Sequence, residues 1–215
     1  MLIRRGILLR HCATVAGIAG CLSVQVATAQ TIIDEWASVK APPPPALKPV
    51  TVDPKTTALL MLDFNQQTCN PERKPRCITS IPKVKKLLTA ARAAGVPVVY
   101  SITIDAKPSE IAAELAPNAG EPVVQSGVDK FVNTDLEKIL KDKGITTVIV
   151  VGTAAEGAVL YTASSAAIRG MKVIVPLDGV SGSLAYSEQY LAWHFVNAPR
   201  ISAAMTLTKI DDVKF

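Results

Sequence analysis

An open, mostly parallel, doubly wound α/β sheet with helices on both faces is the fold this sequence predicts, on three observations. Apolar runs of strand length at residues 57–62, 146–151 and 172–177 lack the alternation of a half-exposed strand, so each belongs in a sheet covered on both sides. Segments with helical patterning separate them, and no internal repeat breaks the alternation. With 49% hydrophobic and only 19% charged residues, the chain is neither disordered nor fibrous.

The elements follow in order. Arg4, Arg5 and Arg10 precede a small, apolar run over 13–29 that ends Ala27-Thr28-Ala29, the pattern of a signal peptide cleaved after Ala29. A lipobox-like Ile18-Ala19-Gly20-Cys21, a twin-arginine reading of Arg4-Arg5 and a retained anchor are the rival readings. Residues 30–55 form a proline-rich arm whose Pro42-Pro43-Pro44-Pro45 is extended, and 56–215 is the α/β domain. Its first strand, 57–62, stops at Asp63. A helix is predicted over 81–94, with Pro82 in its first turn and Gly95 past its end. The second strand is 96–104, and an irregular stretch over 105–129 carries a short helix at 110–115. Then come a helix at 135–143, the third strand at 146–151 and a tight turn at Gly152. A small-residue helix at 156–169, a strand at 172–177, a helix at 186–197 and a last strand at 203–208 complete the domain.

The formal charge of +5 does not point to nucleic acid. Three of the 23 basic residues lie in the leader with no acid beside them, which leaves 20 against 18 in the body, and only 5% of residues are aromatic. The partner expected is a small molecule, with no nucleic acid and, after cleavage, no membrane, in a periplasmic or secreted protein. Cleavage also removes two of the four cysteines, Cys12 and Cys21. Cys69 and Cys77 then flank a charged, proline-bearing loop in an oxidising compartment, where a disulfide is expected. A metal pair or a nucleophilic thiol are the alternatives. The mature chain has one histidine, His194, and no further cysteine to complete a zinc site, and no metal or cofactor is expected.

In such a sheet chemistry sits beyond the carboxyl ends of the central strands. Asp63 ends an apolar strand, where a carboxyl is costly to bury unless paired or used; otherwise it caps a loop. Gly152-Thr153-Ala154-Ala155-Glu156-Gly157-Ala158-Val159 feeds a glycine turn into a helix start whose N–H groups can hold an anion, or it is a turn chosen for close packing.

These segments carry a resemblance. That octapeptide with Thr162-Ala163, the strand ending in Asp63, Phe131-x-x-Thr134-Asp135-Leu136 ahead of Gly144-Ile145, and Asp178 after the next strand together resemble the isochorismatase-like, or cysteine hydrolase, superfamily over about 57–209. The resemblance implies a parallel sheet between helices, a homo-oligomer, and a site of Asp, Lys and nucleophilic Cys. Asp63 matches the Asp, the cysteine position falls on Ala158, and the lysine position, counted back from Phe131, falls on Gln125. The metal site of nicotinamidase-type members is not matched, since Asp105-Ala106-Lys107 offers no histidine. Members that hydrolyse the vinyl ether of isochorismate also lack the cysteine, and their chemistry needs a proton donor and water.

The expected site is therefore Asp63, Gln125 and Ala158, with Phe64, Lys130, Thr153, Ala154, Glu156 and Gly157 contacting the ligand. Without a lysine, Asp63 would hold its proton to higher pH, which suits a general acid. Lys130 is expected on the surface unless it swings in, Glu156 repels an anionic ligand, and His194 is either a second acid or base or a hydrogen-bonded helix histidine.

Overall fold

The computed structural model describes residues 31–215, and the leader expected at 1–29 lies outside them. One unit includes residues 31–41, where α1 (Ile32–Glu35) opens on a capping box in which the Thr31 amide and hydroxyl both donate to Asp34. The other unit is Pro42–Phe215. It begins with the short strand β1 (Val50–Thr51) and continues as β2 (Thr57–Leu62), α2 (Pro75–Ala93), β3 (Val98–Ile102), β4 (Val123–Gln125) and α3 (Leu136–Asp142). Then follow β5 (Thr147–Thr153), α4 (Leu160–Ile168), β6 (Lys172–Pro176), β7 (Val180–Ser181), α5 (Ala185–Asn197), β8 (Met205–Thr208) and β9 (Val213–Lys214).

The main sheet runs β4-β3-β2-β5-β6-β8, with β7 added to the end of β5, and every pairing is parallel. The predicted class therefore stands. From β2 the chain winds outward through β3 and β4, then returns to β5 and winds the other way, so the order reverses between β2 and β5. In sheets of this kind ligands bind beyond the carboxyl ends of the two strands where the winding reverses, and the corresponding place here lies beyond Leu62 and Thr153.

Alternation along the strands supplies two cores. Leu60, Leu62, Val148 and Val150 face Ala163, Ala166 and Ala167 of α4 and Leu191 and Phe195 of α5. Leu59, Met61, Ile149 and Val151 face Val84, Leu87 and Leu88 of α2. The alanines of α4 let the helix lie close on the sheet, as its small-residue composition predicts.

Several elements differ from expectation. The helix expected from residue 81 begins at Pro75 and runs through Pro82. Proline at 82 forfeits one interior hydrogen bond, but the helix is held from both sides of it by buried Cys77, Ser80, Ile81 and Val84. The short helix at 110–115 is two single turns, Pro108–Glu110 and Ala113–Leu115, and the stretch expected to be irregular contributes β4. The helix expected at 156–169 starts only at Leu160, behind a wide turn over Ala155–Val159. Other boundaries shift by a residue or two, and the pairing of β1 with β9 is new. No helix among the described residues is long and apolar enough to cross a membrane.

Candidate active site

Asp63 follows the last residue of β2 with φ at +53°, in the left-handed region that aspartate tolerates better than most residues. Its amide donates to the Ser101 carbonyl at 3.1 Å and its carbonyl accepts from the Thr68 hydroxyl. The chain thus turns off the sheet while the side chain stays over it, 4% exposed.

Both carboxylate oxygens are engaged. Ser101 Oγ donates to Oδ1 at 2.8 Å, and Lys130 Nζ lies 2.8 Å from Oδ2. Lys130 is fully buried and also donates to the carbonyls of Gly127 at 2.7 Å and Ser126 at 3.2 Å. An ammonium has three donors, and here each has an acceptor. The loop that delivers it is fixed by its own bonds: the Lys130 amide donates to Thr162 Oγ1 of α4, Thr134 Oγ1 donates to the Lys130 carbonyl, and Ser165 Oγ donates to Asp129. Thr162, conspicuous in the sequence as part of the resemblance, therefore helps to hold the lysine loop.

This overturns two readings of the sequence. Lys130 is not a surface side chain, and the lysine facing Asp63 is Lys130 rather than a position vacated to Gln125. Gln125 ends the edge strand β4, where its amide donates to the carbonyls of Thr103, Ile104 and Ala106 and ties down the loop after β3. It lines a cleft of about 310 Å³ with Ile104, Val128 and Val132, on the outer side of the lysine loop. The cause of a raised Asp63 pKa is therefore not a missing lysine. Burial pushes the carboxyl above its ordinary range, while the Lys130 ammonium and the Ser101 hydroxyl pull it back.

Beside Asp63, Gly152 pairs with Leu62 in register. It has φ at +143°, and a Cβ there would stand 2.2 Å from the Leu62 carbonyl oxygen, so only glycine lets the two strand ends approach. The Thr153–Ala154 peptide is cis. The turn that follows closes with the amides of Gly157 and Val159 donating to the Ala154 carbonyl at 3.0 and 3.2 Å. Gly157 lies against Val128 of the lysine loop, while Ala158, 4% exposed, packs in the α4-side core with Ala155 and Val159.

Glu156 points at neither Asp63 nor Lys130. It accepts from the Ser183 amide at 3.0 Å and lies 3.7 Å from Lys74 Nζ. Burial alone would raise its pKa, but Ser183 and then Lys74 hold it below the ordinary value. Phe64, expected to contact the ligand, is instead 1% exposed in the α2-side core. His194 lies on α5 with its ring 5.8 Å from Tyr190 and 5.9 Å from Phe195, an aromatic setting. Cys69 and Cys77 are joined, with Cα atoms 5.4 Å apart, so neither is a free nucleophile or a metal ligand. Among the described residues no group of His, Cys, Asp and Glu is arranged to hold a metal ion.

A buried aspartate–lysine pair therefore lies at the topological switch point of a parallel α/β sheet, beside a glycine turn that leads into a helix. The isochorismatase domain model matches residues 57–208, and the chain belongs to that family. Among its relatives, a secreted isochorismatase effector of Verticillium dahliae is 32% identical over 61% of this chain and 76% of its own length. An N-carbamoylsarcosine amidase of an Arthrobacter species is 29% identical over 53% of this chain, a match that spans only 54% of the amidase. The crystal structure of a cysteine hydrolase from Pseudomonas syringae pv. phaseolicola shares the fold with a TM-score of 0.66 at 22% identity, covering 80% of this chain and 96% of that one.

Proposed function

We propose that the chain is an exported isochorismatase-family hydrolase that acts on a small molecule without a covalent thiol intermediate, with Asp63 as proton donor. The observation that carries the reading is the Asp63–Lys130 pair, with side chains 5% and 0% exposed at a distance of 2.8 Å. Burying two charges is expensive even when they pair, and a perturbed pair at a switch point is a functional-site signature. Burial raises the Asp63 carboxyl, as a general acid requires. Ala158 at the nucleophile position supports chemistry by water. Export is supported by the leader pattern, the Cys69–Cys77 disulfide and the secreted relative. As the resemblance implies, the protein is read as a homo-oligomer, which light scattering measures directly.

A second reading, a silent small-molecule-binding protein, is favoured by one observation: both Asp63 oxygens are already engaged, by Lys130 and Ser101. The two are separated by screening mature protein against small amides, ureido acids and vinyl ethers, alongside an Asp63→Asn/Lys130→Met double variant. The hydrolase reading expects turnover in the wild type, falling as pH rises through the Asp63 pKa, and none in the variant. A variant as fast as the wild type removes Asp63 from the chemistry. Ligand binding to both proteins with turnover in neither establishes the binding protein.

A further inference from the structure

Among the described residues, the buried side-chain atoms without a hydrogen-bond partner are Asn65 Oδ1, Thr153 Oγ1, Ser164 Oγ and Ser181 Oγ. Buried polar groups are nearly always paired, and each exception calls for a cause. Leaving one unmet costs about 1–3 kcal/mol, far more than a methyl in its place. These exceptions are not scattered. Ser164 lies on α4, but Asn65 is two residues beyond Asp63, Thr153 ends β5 and Ser181 ends β7.

Strand register brings two of them side by side. Thr153 pairs with Ser181, and Gly152, just before Thr153, pairs with Leu62, just before Asp63. Asp63 leaves the sheet one residue past that Gly152–Leu62 pair, Thr153 stands one residue past it on β5, and Ser181 is beside Thr153 on β7. They are 4%, 0% and 1% exposed. Two neighbouring hydroxyls that bond neither each other nor the backbone present two donors and four acceptor lone pairs to one small volume. A water bonded by both would have its hydrogens and lone pairs directed.

We propose that Thr153 and Ser181 seat the hydrolytic water of the site. The inference rests on the hydrolase reading and supplies what a site with alanine at position 158 lacks, a positioned nucleophile. The water oxygen bonds to the electrophilic carbon of the ligand as the bond from that carbon to the leaving atom breaks. Asp63 passes its proton to the leaving atom, and the proton shed by the water returns to the Asp63 carboxylate. R–X and water become R–OH and H–X, and the protein ends as it began.

The seat has a signature that a structural role lacks. Thr153→Val keeps the shape and, with Ser181→Ala, removes both unmet hydroxyls, so the double variant should melt no lower than wild type while turning over about tenfold or more slowly. Ser164→Ala removes the remaining unmet hydroxyl, on α4, and should leave turnover unchanged. A crystal structure that shows ordered waters should place one within hydrogen-bond distance of both Oγ atoms in the wild type and none there in the double variant. No such water in the wild type, or wild-type turnover in the Thr153→Val/Ser181→Ala protein, overturns the seat. If that protein is fully active while Asp63→Asn/Lys130→Met is dead, the hydrolase reading survives and only the seat falls. A wild type without turnover on any substrate sinks both.

Discussion

The carboxyl end of the sheet and the solvent face of α2 carry the same chemistry, a cation facing a carboxylate, in opposite surroundings. At the sheet, Asp63 and Lys130 meet with almost no exposure. Along α2, Lys83 meets Asp178 at 3.1 Å with its side chain 61% exposed, and Lys86 meets Asp211 at 2.7 Å with both side chains more than two-thirds exposed. In water such pairs gain little, because solvent and salt screen them and two long side chains lose freedom to form them. In the interior both charges have given up their water, and the loss of either partner strands the other. Similar contact distances thus mean different things, and burial rather than separation decides which.

The largest effect should come from stranding one partner. Asp63→Asn or Lys130→Met alone should destabilise by about 3–5 kcal/mol in urea titrations, because one buried charge is left uncompensated. The double variant should regain most of that loss while remaining inactive. A single variant as stable as wild type would show the pair to be open to water.

The disulfide sits between the two regions, fastening the loop after Asp63 to the first turn of α2. Its closed loop, with a sequence separation of 8, predicts a loss of about 2–3 kcal/mol in Cys69→Ala/Cys77→Ala. Free thiols at both positions in protein recovered from its native compartment would show that no bridge forms there.

Acidity separates the regions further. The folded Asp63 carboxyl holds its proton more tightly than the unfolded one at 3.8, so its contribution to stability is complete below that value and is lost as pH rises through the raised folded pKa. Asp211 is lowered by Lys86, so its contribution is present above 3.8 and is lost as pH falls through the lowered folded pKa. Subtracting the pH–stability curve of Asp63→Asn/Lys130→Met from that of the wild type should expose the first slope. The opposite sign would mean that Lys130, not burial, governs the carboxyl. The smallest effect belongs to Lys86→Ala, which should leave the melting midpoint within error of wild type and abolish any salt dependence of that pair.

The central strands and Asp63 are legible in the sequence because an unbroken apolar run closed by one carboxylate is the pattern of a buried strand delivering an acid to the end of a sheet. The turn at Gly152 is legible for the same kind of reason, since its glycine answers a backbone contact. Lys130 is not. It stands in a loop with no periodicity to assign it a face, and counting back from Phe131 reaches Gln125, a side chain that serves the neighbouring loop. Ser101 is hidden inside an apolar strand, where one hydroxyl reads as composition rather than as a partner for Asp63. Strand β4 has three residues and lies among prolines, glycine and acids, so the pairing that defines it exists only once Tyr100–Ile102 is beside it. Pro82 reads as a helix start because its first-turn preference is stronger than any signal for the turns before it.

The pairing of Val50–Thr51 with Val213–Lys214 ties almost the first strand-forming residues of the domain to almost the last. A chain leaving the ribosome presents residue 50 long before residue 213 exists, so β1 waits for its partner until after the strands of the main sheet have been made. A growing chain, or one threading through a pore from its amino end, can build β2, α2 and β3 but has no β9 for β1 to pair with. The seam makes β1 answerable to residues far away in the sequence: a molecule cut before Val213 carries a loose β1 strand, an unpaired edge of the kind that proteases and neighbouring chains can grip.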